Sequence, residues 1–190
     1  VVEAVTAVFP NADFENWEQC DRLIAQAQAT TGLIAVYGFT SETAALLLIR
    51  TGYYYKSQGR YEEAEPLYLD ALAMYKRLLG EAHPAVATSL NNLAELYESQ
   101  GRYEEAEPLY LEALAMRKRL LGEAHPDVAT NLFNLGALRY KQGRYSEALA
   151  LLLQAQPIYL AQLGPDHPNT QALQSWIDKV QQALDTAGPG

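Results

Sequence analysis

With 190 residues, 49% of them apolar and 19% charged, the chain holds enough hydrophobic material for one domain or one short helical array and too few charges for a disordered segment. Its net charge of −9 excludes the basic footprint that a nucleic-acid partner needs, and no apolar run approaches the ~20 residues that span a bilayer, so no membrane partner is expected. The single cysteine, Cys20, excludes an internal disulfide and a cysteine-rich metal site and fits a reducing, cytoplasmic setting.

Residues 1–40 read as a helical lead-in. The apolar start Val1–Pro10 contains Glu3 and has no basic leader, unlike a secretory signal, and the missing initiator Met points to a piece of a longer chain or to a processed one. Trp17 to Leu23 aligns with Tyr61 to Leu67, 44 residues on. Residues 14–31 are therefore expected to be a degenerate copy of a later helix, with Cys20 replacing the small core residue Ala64 as a buried, inert thiol.

From residue 41 to 168 the chain repeats. Gly59 to Val86 returns 42 residues later as Gly101 to Val128, with only Asp70/Glu112, Tyr75/Arg117 and Ala85/Asp127 differing. A third copy opens at Gly143, and His83, His125 and His167 keep the same interval, each followed by proline. Internal repetition at such a period is the signature of a solenoid, in which each unit buries its apolar face only against its neighbours. Within the second unit, Leu90, Leu93, Ala94 and Tyr97 fall on one helical stripe, and Tyr103, Ala106, Leu109, Tyr110, Ala113 and Leu114 on another. Gly101 and Gly122 end the two helices, and His125-Pro126 opens the next with proline at the first helical position. Each unit is thus a helix A–helix B hairpin, expected at 43–58/61–79, 85–100/103–121 and 127–142/145–163. Acidic clusters at Glu62, Glu63, Glu65 and at Glu104, Glu105, Glu107 sit at helix starts, where they complement the dipole. Pro157 replaces Ala115 of the previous unit in mid-helix and predicts a bent third helix B. Residues 169–185 read as a capping helix with Leu173, Trp176, Ile177, Val180 and Leu184 on its apolar side, and 186–190 as a tail.

These residues resemble the tetratricopeptide consensus: Ala94 and Tyr97 in helix A, Gly101 and Tyr103 at the turn, Ala106 and Ala113 in helix B. The 42-residue period with Leu-Gly-x-x-His-Pro between units is similar to the kinesin light chain subtype. The fold class implied is all-α, a right-handed α-solenoid of tetratricopeptide helix hairpins. The run from Phe9 to Trp17 before such an array is similar to bacterial, notably cyanobacterial-type, NB-ARC/STAND signalling ATPases, whose repeat region acts as a sensor arm. No Gly-x-x-x-x-Gly-Lys-Ser/Thr phosphate loop occurs in this chain, so nucleotide chemistry belongs elsewhere.

Nothing in the pattern sets a nucleophile beside a base, so no catalytic residue, enzyme activity or cofactor is expected. The three histidines repeat with the unit at a spacing of ~10 Å, whereas zinc ligands lie ~2 Å from one metal; their role is to start helices, and no metal is expected. The informative positions lie on helix A away from the core stripe. They are Arg50 and Tyr53 in the first unit, Asn91, Asn92 and Glu95 in the second, and Phe133, Asn134 and Tyr140 in the third, with Ser57, Ser99, Ala137 and Lys141 on the same side and Ile49, Lys56 and Glu98 on its flank. The resemblance makes helices A the lining of a concave groove, so these side chains are expected to face a protein or peptide ligand. Asparagine can pair with a peptide backbone and the aromatics can anchor side chains. The alternative is a structural self-association module. A monomer or weak homodimer is expected.

Overall fold

The structure, a computed structural model, describes residues 1–10 and 16–187. The described residues form nine helices and no strand: α1 (Val2–Val8), α2 (Trp17–Tyr37), α3 (Glu42–Ser57), α4 (Tyr61–Leu79), α5 (Pro84–Ser99), α6 (Tyr103–Leu121), α7 (Pro126–Lys141), α8 (Tyr145–Leu163) and α9 (Pro168–Ala187). The B helices α4, α6 and α8 have the expected bounds. The A helices α3, α5 and α7 each begin and end one residue earlier than the pattern predicts. At the front, proline takes the first helical position of α7, needing no N–H there; at the back, Gln58 and Gln142 are the C-caps of α3 and α7. The expected tail is partly helical, since α9 runs on to Ala187; residues 188–190, and the sequence between Asn11 and Glu15 that contributed to the lead-in reading, lie outside the described residues.

The histidines perform the expected start. His83 Nδ1 accepts the N–H of Ala85 at 3.1 Å, His125 Nδ1 that of Asp127 at 3.1 Å, and His167 Nδ1 that of Asn169 at 3.2 Å. Each imidazole satisfies one backbone donor that the first turn leaves without an intrahelical partner. The A-to-B turn closes on Gly101 at φ +76°, and the B-to-A turn on Gly122 at φ +87° and ψ 158°, a region open essentially to glycine alone. α8 runs unbroken through Pro157. Pro66 and Pro108 lie inside α4 and α6 in the same way, a feature that singling out Pro157 had missed. All three prolines are exposed, so the carbonyl each one deprives of a partner lies toward water.

The chain forms two compact units, Val1–Leu96 and Tyr97–Gly190. In the first, α3 packs on α4 and receives α1 and α2. Its core holds Phe9, Cys20, Leu47, Leu48, Tyr55 and Tyr68. Cys20 and Ala64 are both fully buried, as the alignment of α2 with α4 requires. In the second unit α7 packs on α6 and α8, and α8 on α9, around Leu132, Leu138, Leu152 and Leu173. Close approach depends on a small residue in helix A. A Cβ added at Gly52 would lie 3.0 Å from the Tyr68 ring, and one at Gly136 would lie 2.9 Å from Leu152 Cδ2.

Candidate functional site

In the first unit, α3 and α5 bring together Tyr53, Lys56, Asn91 and Glu95. Lys56 Nζ pairs with Glu95 Oε2 at 2.8 Å, Asn91 Nδ2 donates to Glu95 Oε1 at 2.7 Å, and the ammonium sits 4.9 Å from the Tyr53 ring centre. Tyr53 is 40% exposed, and Asn92 and Glu95 are half-buried. Three of the expected ligand contacts are otherwise engaged, Glu95 by Lys56 and Asn91 as just described. Asn91 is only 5% exposed, because its amide is turned along the helix to Glu95. Arg50 Nη1 donates to the carbonyls of Thr6 and Phe9, both at 2.9 Å, and thereby holds the end of α1 on α3. The charge that the pattern offered to a ligand is spent inside the fold.

Tyr68 and Tyr110 occupy the same place in successive repeats, yet their hydroxyls differ. Tyr110 Oη donates to Glu98 Oε2 at 2.7 Å, and Glu98 also holds Lys141 at 2.9 Å. The first repeat has Lys56 where the second has Glu98, and an ammonium cannot accept. Among the described residues Tyr68 Oη has no partner, and burial drives its phenol far above the ordinary range. Tyr54 is pushed up to about 12 by burial and by the hydrogen bond it gives Asp21 at 2.6 Å.

In the second unit, α7 presents Phe133, Asn134 and Tyr140. Phe133 and Tyr140 are half-buried against Trp176 of α9, at ring-centre distances of 5.9 and 5.6 Å. Sequence reasoning placed Trp176 on the cap's apolar side and turned Phe133 and Tyr140 toward a ligand; α9 in fact sits beside both of them. The signal available was the return of the His-Pro start before α9, which makes that helix an A helix of the same series. Phe133 and Asn134 also line a cleft of about 160 Å³ with Thr130, Tyr159, Asn169 and Ala172, where the hydroxyls of Thr130 and Tyr159 meet at 2.8 Å. Burial raises the Tyr159 phenol. Ala137 is buried at 7% exposure and does not share this face.

Two buried arginines also went unread. Arg117, at the position of Tyr75, donates to the Asp127 carbonyl at 3.1 Å and to Asn131 Oδ1 at 2.6 Å. Arg139 pairs with Glu107, with Glu147 at 3.4 Å from its Nε, and this contact holds the Glu107 carboxyl below its usual range. Glu107, expected to serve the helix dipole, is a structural ion-pair partner. Glu105 and Glu147 do sit in first turns, where Arg102 and Arg144 bond them and lower their carboxyls. Among the described residues no group of three His, Cys, Asp or Glu side chains is placed to hold a metal ion, and no helix is long and apolar enough to cross a membrane.

Helices of 16 and 19 residues alternating on a fixed period, with a capping histidine at the start of α5, α7 and α9 and Ser41 at the start of α3, define an all-α repeat protein of the tetratricopeptide solenoid class. The tetratricopeptide repeat family profile matches residues 42–119, 92–161 and 127–174, and the chain belongs to that family. A nucleotide-binding leucine-rich repeat (NLR)-like protein of Hyaloscypha variabilis is 37% identical over 90 residues; the match takes in 47% of this chain and 9% of that protein. Among solved structures, a kinesin light chain-type protein of Podosopora anserina with nearly identical TPR-like repeats superposes with a TM-score of 0.74 at 22% identity, covering 96% of this chain and 84% of that one. BtubC (BKLC) of P. vanneervenii gives 0.63 at 22% identity over 98% and 87%. The type III secretion translocator chaperone SycD of Yersinia enterocolitica gives 0.58 at 16% identity over 80% and 92%. These likenesses define the fold.

Proposed function

We propose that the chain is a protein- or peptide-binding scaffold without catalytic activity, and that its A-helix faces are where partners are read. One observation carries this. The first two repeats are nearly identical through helix B, yet their A helices differ at most positions, and among the differences that reach solvent Tyr53, 40% exposed, stands where the second repeat has the half-buried Glu95. A purely structural repeat has no need of an exposed aromatic such as Tyr53 on that face. Family members act as protein-interaction scaffolds, and the NLR-like relative supports placing the array as the sensor arm of a larger cytoplasmic signalling ATPase. An open reading frame upstream of Val1 without a nucleotide-binding domain would sink that placement.

The contact set we propose is Tyr53, Asn92 and Glu95 in the first unit and Phe133, Asn134 and Tyr140 in the second. The test is a displayed peptide library selected against the whole chain, followed by affinity measurements on the selected peptides. Tyr53→Ala with Asn92→Ala, and separately Asn134→Ala, are expected to weaken binding by about 1–3 kcal/mol. The control is the exposed helix-B pair Glu62→Ala with Glu104→Ala. If the control abolishes binding and the A-helix variants leave it untouched, the reading is wrong. The second reading, self-association, has its own support: Leu69, Leu111 and Leu153 recur at the repeat interval on B helices and are 43%, 44% and 47% exposed. A mass that rises with concentration in light scattering, and falls back when these leucines become glutamine, favours it.

A further inference from the structure

The rings of Tyr140 on α7 and Trp176 on α9 stand at 88° with centres 5.6 Å apart. Phe133 meets Trp176 at 84° and 5.9 Å. The Lys179 ammonium lies 4.5 Å from the Trp176 centre and 4.7 Å from that of Tyr140. Both distances fall well within the ~6 Å over which a ring quadrupole attracts a cation. The cluster is therefore a seat that already holds an ammonium, supplied by the chain itself.

We propose that Tyr140 and Trp176, the latter backed by Phe133, form a binding site for an alkylammonium group, and that Lys179 is its internal stand-in. The class includes a lysine or methylated lysine of a peptide and a free quaternary ammonium; all present the same charged, partly apolar head. Four features support the assignment. Tyr140 and Trp176 are half-buried, while Leu135, Leu138, Ile177 and Val180 of the same two helices are buried and close the core, so both rings keep surface for a ligand. Lys179 is exposed, and among the described residues the two rings are the only partners of its ammonium, so little holds it in place. A methylated ammonium is also less strongly hydrated than a lysine head and loses less on entering an aromatic seat. The chain's net charge of −9 raises the local concentration of cations. The assignment does not depend on the peptide-binding reading, because a small free cation tests it.

The test follows the Trp176 indole N–H by ¹H–¹⁵N NMR on the full chain while tetramethylammonium chloride is added at constant ionic strength. Tert-butanol serves as the uncharged isostere, and a short peptide containing trimethyllysine as the second cation source. A saturable shift with the cations and none with the isostere is expected. Lys179→Ala should tighten tetramethylammonium binding several-fold by removing the competitor, Tyr140→Phe should retain it, and Tyr140→Leu should lose it while the circular dichroism stays helical. A peptide that binds more tightly than the free cation assigns the source to a protein partner; equal binding assigns it to a small molecule. An isostere as effective as the cation, or a folded Tyr140→Leu with undiminished affinity, overturns the proposal.

Discussion

Arg139 on α7 is held by Glu107 on α6, 32 residues earlier, and the two side chains differ sharply in exposure, 8% for the arginine and 25% for the glutamate. Removing the carboxylate leaves a buried guanidinium with only Gln142 and Glu147 nearby. The loss falls between the ~0.2–1 kcal/mol of an exposed pair and the ~3–5 kcal/mol of a broken buried one, so Glu107→Gln should cost about 2 kcal/mol in urea unfolding at neutral pH. The Glu107 carboxyl is depressed in the fold, first by its hydrogen bond from Arg139, below the 4.5 of the free side chain. A depressed carboxyl stabilises the fold fully above its unfolded value and ceases to do so as pH falls through the folded one. Wild type should therefore lose stability below pH 4.5 more steeply than Glu107→Gln. Parallel acid limbs would show that the pair contributes nothing.

Pro157→Ala should stabilise the chain. The same position in α4 and α6 is Ala73 and Ala115, both exposed on unbroken helices, so alanine fits the site. The substitution restores an N–H to helix α8 and removes the ring's clash with the preceding turn, effects that amount to about 3 kcal/mol in a fully formed helix interior. Because Pro157 lies on the solvent side, where the freed carbonyl can bond water, about 1–2 kcal/mol is expected. A lower melting temperature would show that the packing of α8 depends on the proline.

Gly136→Ala should do the opposite. The added methyl meets Leu152 Cδ2 at 2.9 Å and the Ala148 carbonyl at 3.3 Å. Leucine can give way, but a backbone oxygen in α8 cannot without moving the helix. Overpacking of this kind costs about 1–3 kcal/mol, which outweighs the ~1 kcal/mol that alanine gains over glycine in a helix. Pairing it with Leu152→Val should recover part of the loss in the same unfolding assay.

The hairpins were legible because the repeat supplies the same evidence three times. Stripe, turn glycine and His-Pro start all agree, and agreement across levels fixes a structure. The candidate site was legible only in part. Helical rotation identifies the face of Arg50 and Asn91, but a face does not reveal what bonds a side chain makes. Arg50 reaches carbonyls more than 40 residues away in sequence, and Asn91 turns to Glu95. Arg139 and Arg117 stand where earlier repeats have Tyr97 and Tyr75. Their partners come from helices that a single-unit pattern does not relate, so buried charge at those positions could not be read from periodicity.

The histidines lend themselves to the most direct test of a structural role. Each Nδ1 accepts a backbone N–H at the start of an A helix, which requires that nitrogen to be unprotonated and unmetallated. His125→Ala removes the acceptor and should cost about 1 kcal/mol, the usual loss of an N-cap. His125→Asn supplies another acceptor of similar reach and should recover most of it, whereas no metal-ligand role predicts that ordering. Adding equimolar zinc should leave the melting temperature where it was, because a ligand stabilises only what it binds in the folded state. A rise of several degrees with zinc, abolished equally by His125→Ala and His125→Asn, would replace capping with coordination as the reason these residues recur.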